Sequence, residues 1–328
     1  MKTIAFFNNK GGVGKTSLVY HLAWMFSSRG KRVLAVDLDP QANLSSMFLD
    51  EDTLEKLWDD STGKSISDSL RPLQEGEGLG FAYVEKIADN LGLIVGNLAL
   101  SRFEDRLSES WGKCFSKDVL AFRFMSAFYT LIQDGAKQFS ADIILIDVGP
   151  NLGAINRAAM IATDQVVFPL VADMFSIQGL KNLGPTLQEW REEWKELLQG
   201  KAGDVKFPLP RGTMQPAGYV VMQHAAREGR PVKAYQRWVS RIPKVYRQYV
   251  LKEQNPPDVS PETDPNKLAL LKHYRSLMPM AQEHRKPIFF LKPADGAIGS
   301  HYQAVQECYG HFLLLAKRVA ANANMNLQ

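Results

Sequence analysis

The sequence has little cysteine, no long apolar run and a small net charge, and the first two of these shortages each exclude a class of protein. Two cysteines, Cys114 and Cys308, are too few and too far apart for a disulfide framework, and they indicate a reducing compartment. No stretch approaches the roughly 18 apolar residues of a membrane-spanning helix. The first apolar segment leads straight into a glycine-rich loop, so we expect no signal peptide, and we expect a cytoplasmic protein without a membrane partner.

The net charge of +4 identifies no partner by itself, because the placement of charge matters more than its sum. The 328 residues, 45% of them hydrophobic, suit one large domain. Short apolar runs that alternate with helical patterns predict an α/β fold with a doubly wound, mostly parallel sheet flanked by helices. We expect a single domain over residues 1–328, with a basic helical and proline-rich insertion at about 225–285.

The most informative segment is the glycine-rich stretch at residues 8–17, between a β-prone run at 3–7 and a helical pattern at 18–29. A strand, a glycine-rich loop and a helix form the context that a phosphate-binding loop requires. In such a loop, Lys15 reaches the β- and γ-phosphates of ATP and Thr16 holds Mg²⁺. A turn without a ligand is the alternative, but Gly-Lys-Thr at the start of the helix favours the nucleotide. The predicted nucleotide-binding residues are Lys10, Gly11, Gly12, Val13, Gly14, Lys15, Thr16 and Ser17.

Carboxylates follow two further apolar runs. Asp37 ends the run at 33–37, and Asp39 follows two residues later, while Asp147 ends the run at 141–147. Ligands of doubly wound folds bind at the carboxyl ends of parallel strands, where these side chains would meet Mg²⁺. A capped turn is an equally good interpretation of the Asp39-Pro40 sequence from spacing alone.

The loop departs from the common phosphate-binding pattern, with Asn9 in place of a glycine and a second lysine at position 10. This form, K-G-G-x-G-K-T, resembles the deviant Walker A motif of the ParA/MinD family of ATPases. The resemblance implies that Lys10 crosses a dimer interface to the partner's nucleotide. A cation supplied in this way would neutralise charge between the β- and γ-phosphates.

Two more motifs carry the resemblance. Residues 37–43 match the family's switch I, which implies that Asp39 orients the attacking water and helps hold the Mg²⁺ shell, with Asp37 behind it. Residues 148–153 resemble switch II, with Gly149 in place of the first proline, which should loosen the loop. By resemblance the catalytic residues are Lys10, Lys15 and Asp39, and the metal-binding residues are Thr16, Asp39 and Asp147.

Weaker similarities concern two other positions. Asp173 matches an acidic family position that would lie at the dimer face, although a helix N-cap is the alternative. The predicted strand at 217–223 would end beside the adenine pocket, which makes Gln223 a nucleotide-binding candidate. We also predict single helices at 117–137 and 267–285, and we assign the aromatic residues between 111 and 129 to core packing.

Positive charge is concentrated at residues 227–252, which hold eight basic residues and one acidic one, a local charge of +7. Several basic residues recur at helical spacing, with aromatic residues between them, which is typical of a surface that contacts phosphate backbones. A merely soluble helix, or one that pairs with the acidic helix at 189–196, is the alternative. The candidate DNA-binding residues are Arg227, Arg230, Lys233, Arg237, Arg241 and Lys244.

The resemblance implies an ATPase that dimerises with ATP, binds double-stranded DNA without sequence preference and associates with the nucleoid in that state. It would partition or position DNA or other cargo together with a ParB-like or cargo-adaptor protein. Two alternatives remain: an ATPase that positions a protein cargo without DNA, and a metabolic P-loop ligase or synthetase.

Overall fold

The computed structural model describes residues 1–59, 63–200, 202–203, 205–222, 232–272, 274 and 276–327. Within that part of the chain, one sheet contains eight strands: β1 Lys2–Phe6, β2 Val33–Asp37, β3 Glu85–Ala88, β4 Leu91–Ile94, β5 Ile143–Asp147, β6 Gln165–Val171, β7 Gln215–Met222 and β8 Lys267–Leu271. The spatial order is β3-β4-β2-β5-β1-β6-β7-β8. Only β3 pairs antiparallel, with β4; the other pairs are parallel.

Helices cover both faces of the sheet. They are α1 Lys15–Ser28, α2 Asn43–Phe48, α3 Glu51–Leu57, α4 Ile66–Glu75, α5 Glu104–Cys114, α6 Val119–Met125, α7 Ala127–Phe139, α8 Ala154–Ile161, α9 Met174–Gly200, α10 Val232–Val239, α11 Ile242–Val245, α12 Leu277–Glu283 and α13 Ser300–Asn322. Short 3₁₀ segments lie at Leu98–Phe103, Ile288–Phe290 and Pro293–Asp295, and a π-helical turn lies at Tyr246–Val250.

Alternate side chains of the central strands enter two separate cores. Ile4 and Phe6 of β1 pack with α1 and α13, whereas Ala5 and the following Phe7 pack with the helices of the opposite face. This alternation follows from the two-residue period of a strand, and burial on both faces explains why the central strands are continuously apolar. The predicted doubly wound, mostly parallel α/β fold is confirmed.

The prediction of one helix at 117–137 is wrong. The structure has two helices, α6 and α7, separated at Ser126, whose hydroxyl donates to the Phe122 carbonyl at 2.7 Å. A serine that bonds back to the preceding turn bends a helix. The aromatic side chains of this region belong to the core, as predicted: Trp111, Phe122, Phe124 and Phe128 are buried, and Phe115 and Tyr129 are partly buried against them.

The prediction of a helix at 267–285 is also wrong, because its first part is strand β8. The strand Lys267–Leu271 pairs with β7 at the edge of the sheet, and among the described residues of this segment the helix is confined to Leu277–Glu283. Leu268 and Leu271 are buried beneath α13. The apolar spacing of this segment fits either element, and the free edge of β7 decides in favour of a strand.

Candidate nucleotide site

The glycine-rich loop connects β1 to α1, as predicted. Gly12 and Gly14 have φ angles of 70° and 84°, a left-handed conformation that glycine adopts without strain. Gly14 precedes the first residue of α1, Lys15. The backbone N–H groups of a first helical turn have no intrahelical partner, so this loop and helix present donors and a positive dipole end to an anion.

Three neighbouring strands bring the predicted charged residues together. The strand order β2-β5-β1 places Asp147 in register with Asp37 on one side and with Phe6, the last residue of β1, on the other. Asp37, Asp39 and Lys15 are all buried. The predicted meeting of these groups at the carboxyl edge of the sheet is therefore present in the structure.

The electrostatics of this cluster favour a bound cation. Burial, followed by the charge of Asp37, raises the pKa of the Asp147 carboxyl well above its usual value. Burial also raises the pKa of Asp37. Conversely, burial lowers the pKa of the Lys15 ammonium, although the Asp147 and Asp39 carboxylates oppose this shift. When burial and a neighbouring carboxylate disfavour the ionised form of acidic groups, a divalent cation beside them stabilises that ionised form.

The carboxylate of Asp147 fits the role of a metal-binding group. It is fully buried, and among the described residues no donor forms a hydrogen bond of normal geometry with either oxygen, the Thr16 hydroxyl being nearby but not directly bonded. Buried polar atoms are normally paired, so this group is suited to water molecules on a Mg²⁺ ion. The Thr16 hydroxyl lies close enough to Asp147 to affect its pKa, which brings together the two predicted ligand positions.

Lys10 is not extended into solvent. Its ammonium forms an ion pair with the Asp173 carboxylate and lies 5.5 Å from the centre of the Phe175 ring. Although burial acts to raise it, hydrogen bonds from Lys10 and the Ser176 N–H hold the pKa of the Asp173 carboxyl below its usual value. Asp173 also accepts from Ser176 N at 2.8 Å, so the predicted N-cap geometry and the ion pair occur together.

Sequence reasoning missed the side chains that hold switch II. The Asn156 amide donates to the carbonyls of Gly149 and Asn151 at 2.9 and 2.7 Å. The Glu104 carboxylate accepts from the N–H groups of Ala154 and Ile155 at the start of α8, at 2.5 and 2.9 Å. Glu104 is 50 residues away in sequence, so no local pattern could have identified it. These contacts hold the glycine-containing loop that we expected to be loose.

The end of β7 borders the phosphate-binding loop. A Cβ atom on Gly14 would lie 3.0 Å from the Met222 methyl group, which places the last residue of β7 against the loop. The nucleotide-binding candidate Gln223 follows directly, but it lies outside the described residues, as do Arg227 and Arg230. Lys233 is on α10, but its side chain is not among those that the structure describes.

The described part of the basic region, from residue 232 onward, does not form one continuous helix. Its helix is interrupted between α10 and α11, where Pro243 occupies the first turn of α11. Arg237 and Arg241 are exposed, with guanidinium centres 5.5 and 5.1 Å from the Trp238 ring, and Lys244 is exposed nearby. These three remain candidates for contact with an anionic polymer.

Other charges of this region are neutralised within the chain. Arg247 lies 3.1 Å from Glu253 and 3.4 Å from the buried Asp264. Lys252 lies 3.8 Å from Glu192, so one contact with the acidic helix, which we considered as an alternative, is present. Tyr246 is buried, and its hydroxyl accepts from the Gly218 N–H, so it is a core residue rather than a surface stacking group.

Comparisons with known proteins agree with this geometry. Residues 1–199 match the family model AAA_31, described as an AAA domain. Protein IncC of Escherichia coli is 32% identical over 196 residues, which are 59% of this chain and 47% of IncC. The chain therefore spans about half the length of this curated relative.

Two solved structures share the fold. Protein DIP2308 of Corynebacterium diphtheriae superposes with a TM-score of 0.72 at 23% identity, covering 98% of this chain and 99% of the other. The complex of Cyanothece McdA with ATP superposes with a TM-score of 0.60 at 17% identity, covering 100% and 98%. At these identities the likeness shows the fold alone. No helix in the described part of the chain has the length and apolar content to cross a membrane.

Proposed function

Because this chain belongs to the AAA-domain family AAA_31, and its resemblance to the ParA-like partition ATPases is confirmed, we propose that it hydrolyses ATP to control dimerisation and DNA binding. The main support is the convergence of the Lys15 ammonium with the Asp39 and Asp147 carboxylates beside the glycine-rich loop. The structure of McdA, which shares this fold, contains ATP.

Hydrolysis transfers the γ-phosphoryl group of ATP to water and leaves ADP and phosphate. Such a reaction needs positioning and charge neutralisation more than covalent chemistry. Lys15 and the backbone N–H groups of residues 11–17 would hold the phosphates, and Asp39 would orient the attacking water. Thr16, Asp39 and Asp147 would hold Mg²⁺, which supplies positive charge to the phosphate oxygens when bound.

Dimerisation would provide the second lysine. Met174 and Phe175 are exposed apolar side chains beside the Lys10–Asp173 pair, with 54% and 64% of their surfaces accessible. An apolar patch next to the phosphate-binding loop suits contact with a second copy across the nucleotide. In the ATP-bound dimer, Lys10 would leave Asp173 and reach the partner's phosphates.

DNA binding would use the exposed part of the basic region. Arg237, Arg241 and Lys244 can contact phosphates without reading bases, which predicts binding to unrelated sequences and a strong dependence on salt. Pairing two such surfaces in a dimer raises the affinity for one duplex. A ParB-like or cargo-adaptor protein would then stimulate hydrolysis and release the dimer from the nucleoid, which would partition or position the cargo.

The decisive test uses Asp39→Ala protein, which should bind ATP but fail to hydrolyse it. Its binding to two unrelated duplexes is measured with ATP and with ADP across a salt series, with Lys15→Ala protein as the control that lacks nucleotide. We expect equal affinity for both duplexes with ATP, a steep loss of affinity with salt, and weak binding with ADP. ATP-dependent dimerisation without DNA binding would contradict the DNA function and favour a protein cargo.

A further inference from the structure

We propose that Ser45 is a positioning residue for ATP hydrolysis, because its hydroxyl fixes Asp37 and thereby holds Asp39 in place. The inference rests on the proposed ATPase function. Ser45 lies in the first turn of α2, directly after the segment that contains Asp39, and it is fully buried. The phosphate-binding motif does not identify Ser45, because its hydrogen bonds are to Asp37 and Gly96 rather than to the glycine-rich loop.

The hydroxyl of Ser45 joins the ends of two strands. It lies 2.7 Å from Asp37 Oδ2, at the end of β2, and it accepts from the Gly96 N–H at 2.8 Å, beyond the end of β4. Because Ser45 Oγ accepts a hydrogen bond from the Gly96 N–H, its own hydroxyl hydrogen is available for the hydrogen bond to Asp37 Oδ2. The Ser45 N–H donates to the same Asp37 oxygen at 2.8 Å.

The other Asp37 oxygen holds the backbone of the proposed catalytic residue. Asp37 Oδ1 accepts from the Asp39 N–H at 3.3 Å, and Asp39 Oδ1 accepts from the Gln41 N–H at 3.0 Å. Ser45 therefore acts on Asp39 through one intervening side chain. Buried polar networks of this kind fix a geometry when every member is paired and lose it when one member is removed.

Gly96 packs against the opposite side of the Asp37 carboxyl group. A Cβ atom on Gly96 would lie 2.8 Å from the Asp37 carboxyl carbon, which is closer than real contacts allow. The Gly96 carbonyl accepts from the Trp58 indole N–H at 2.8 Å, so its peptide is held on both sides. Asp37 thus lies between the Ser45 hydroxyl and the Gly96 backbone, in contact with both.

Removal of the hydroxyl should affect the reaction more than the binding of nucleotide. Ser45→Ala leaves the Gly96 N–H without its acceptor and Asp37 without one donor, whereas the glycine-rich loop keeps all of its contacts. A misplaced catalytic group lowers the chemical rate by roughly 10- to 100-fold. We expect such a loss in single-turnover hydrolysis at saturating ATP, with the ATP dissociation constant changed by less than about threefold.

Ser46→Ala is the matched control, because Ser46 is the next residue on the same helix but is exposed, and its hydroxyl donates to the nearby Asn43 carbonyl rather than to Asp37. It should hydrolyse ATP at the wild-type rate. Ser45→Thr keeps the hydroxyl and should recover most of the rate. Gly96→Ala displaces Asp37 from the opposite side with Ser45 intact, and it should reproduce the slow hydrolysis.

The outcomes separate this inference from the proposed function. If wild-type protein does not hydrolyse ATP, the proposed function is wrong and the inference is wrong with it. If wild-type protein is active and Ser45→Ala is equally active, only the inference is wrong. Parallel losses of ATP affinity, melting temperature and rate in Ser45→Ala would show a general structural role and would also overturn it.

Discussion

The nucleotide site and the basic region differ in how their charged residues are held. At the nucleotide site, Asp147 ends β5, Asp39 follows the end of the adjacent strand β2, and Lys15 begins α1. All three are buried, so the backbone fixes their positions. In the basic region, the charges lie on short helices at the surface, and several are paired within the chain. A local motif can therefore describe the nucleotide site, whereas counting charges in the sequence overestimates how many charges of the basic region are available to a partner.

The largest effect should follow from Lys15→Ala, which tests the nucleotide site. The buried ammonium is the main positive group available to the phosphates in one chain, so its loss should lower ATP affinity at least about 100-fold. Calorimetric titration with ATP measures this. Lys31→Ala, outside the loop, is the control, and near wild-type affinity in the Lys15 variant would contradict the assignment.

A second prediction concerns His21, which joins the phosphate-binding helix α1 to the C-terminal part of the chain. Its Nδ1 lies 2.7 Å from the Ser17 carbonyl, and its Nε2 accepts from the Ile288 N–H at 3.2 Å. Burial lowers the pKa of His21 to about 4 from a usual value of 6.5. The unfolded chain therefore binds a proton between these values while the folded chain does not.

Consequently, the free energy of unfolding should fall by about 3 kcal/mol as the pH drops from 6.5 to 4, and this contribution is fully present above pH 6.5. Urea denaturation at a series of pH values measures it. His21→Gln, which is neutral throughout, should lack this part of the pH dependence. Identical pH profiles for the two proteins would show that His21 is not held neutral.

Arg237→Glu combined with Arg241→Glu tests the exposed part of the basic region. Reversing two phosphate contacts should weaken DNA binding by about 100-fold at low salt and reduce the salt slope by about two, with ATP hydrolysis unchanged. Fluorescence anisotropy with a labelled duplex measures both. Lys56→Glu combined with Lys86→Glu makes the same change in net charge on other exposed side chains, and equal loss in that control would refute a specific DNA surface.

The smallest effect should come from Asp173→Asn, which removes the charge that holds Lys10 within its own chain. The partly buried ion pair should oppose dimerisation by no more than about 1 kcal/mol, so its loss should tighten the ATP-bound dimer by roughly fivefold. Sedimentation velocity with ATP measures the dissociation constant. A weaker dimer would show that Asp173 belongs to the interface rather than to a competing contact.

Sequence reasoning succeeded where strand, loop and helix signals agreed within a short stretch. The loop at 8–17 and the carboxylates that end β2 and β5 lie where they were expected, because parallel strands bring their carboxyl ends together. It failed at 267–285, where an apolar segment fits both a helix and a strand. It also failed at Ser126, where one side-chain hydrogen bond divides a helix.

The sequence by itself determined the phosphate-binding loop, the central strands and the acidic residues that end them, since these depend on local conformation and on the period of apolar residues. Only the tertiary structure decided which groups support the site and which charges are free. Glu104 reaches α8 across 50 residues, Gly96 meets Ser45 across 51, and Asp264 neutralises Arg247. Such contacts depend on how distant segments pack, and no local pattern records them.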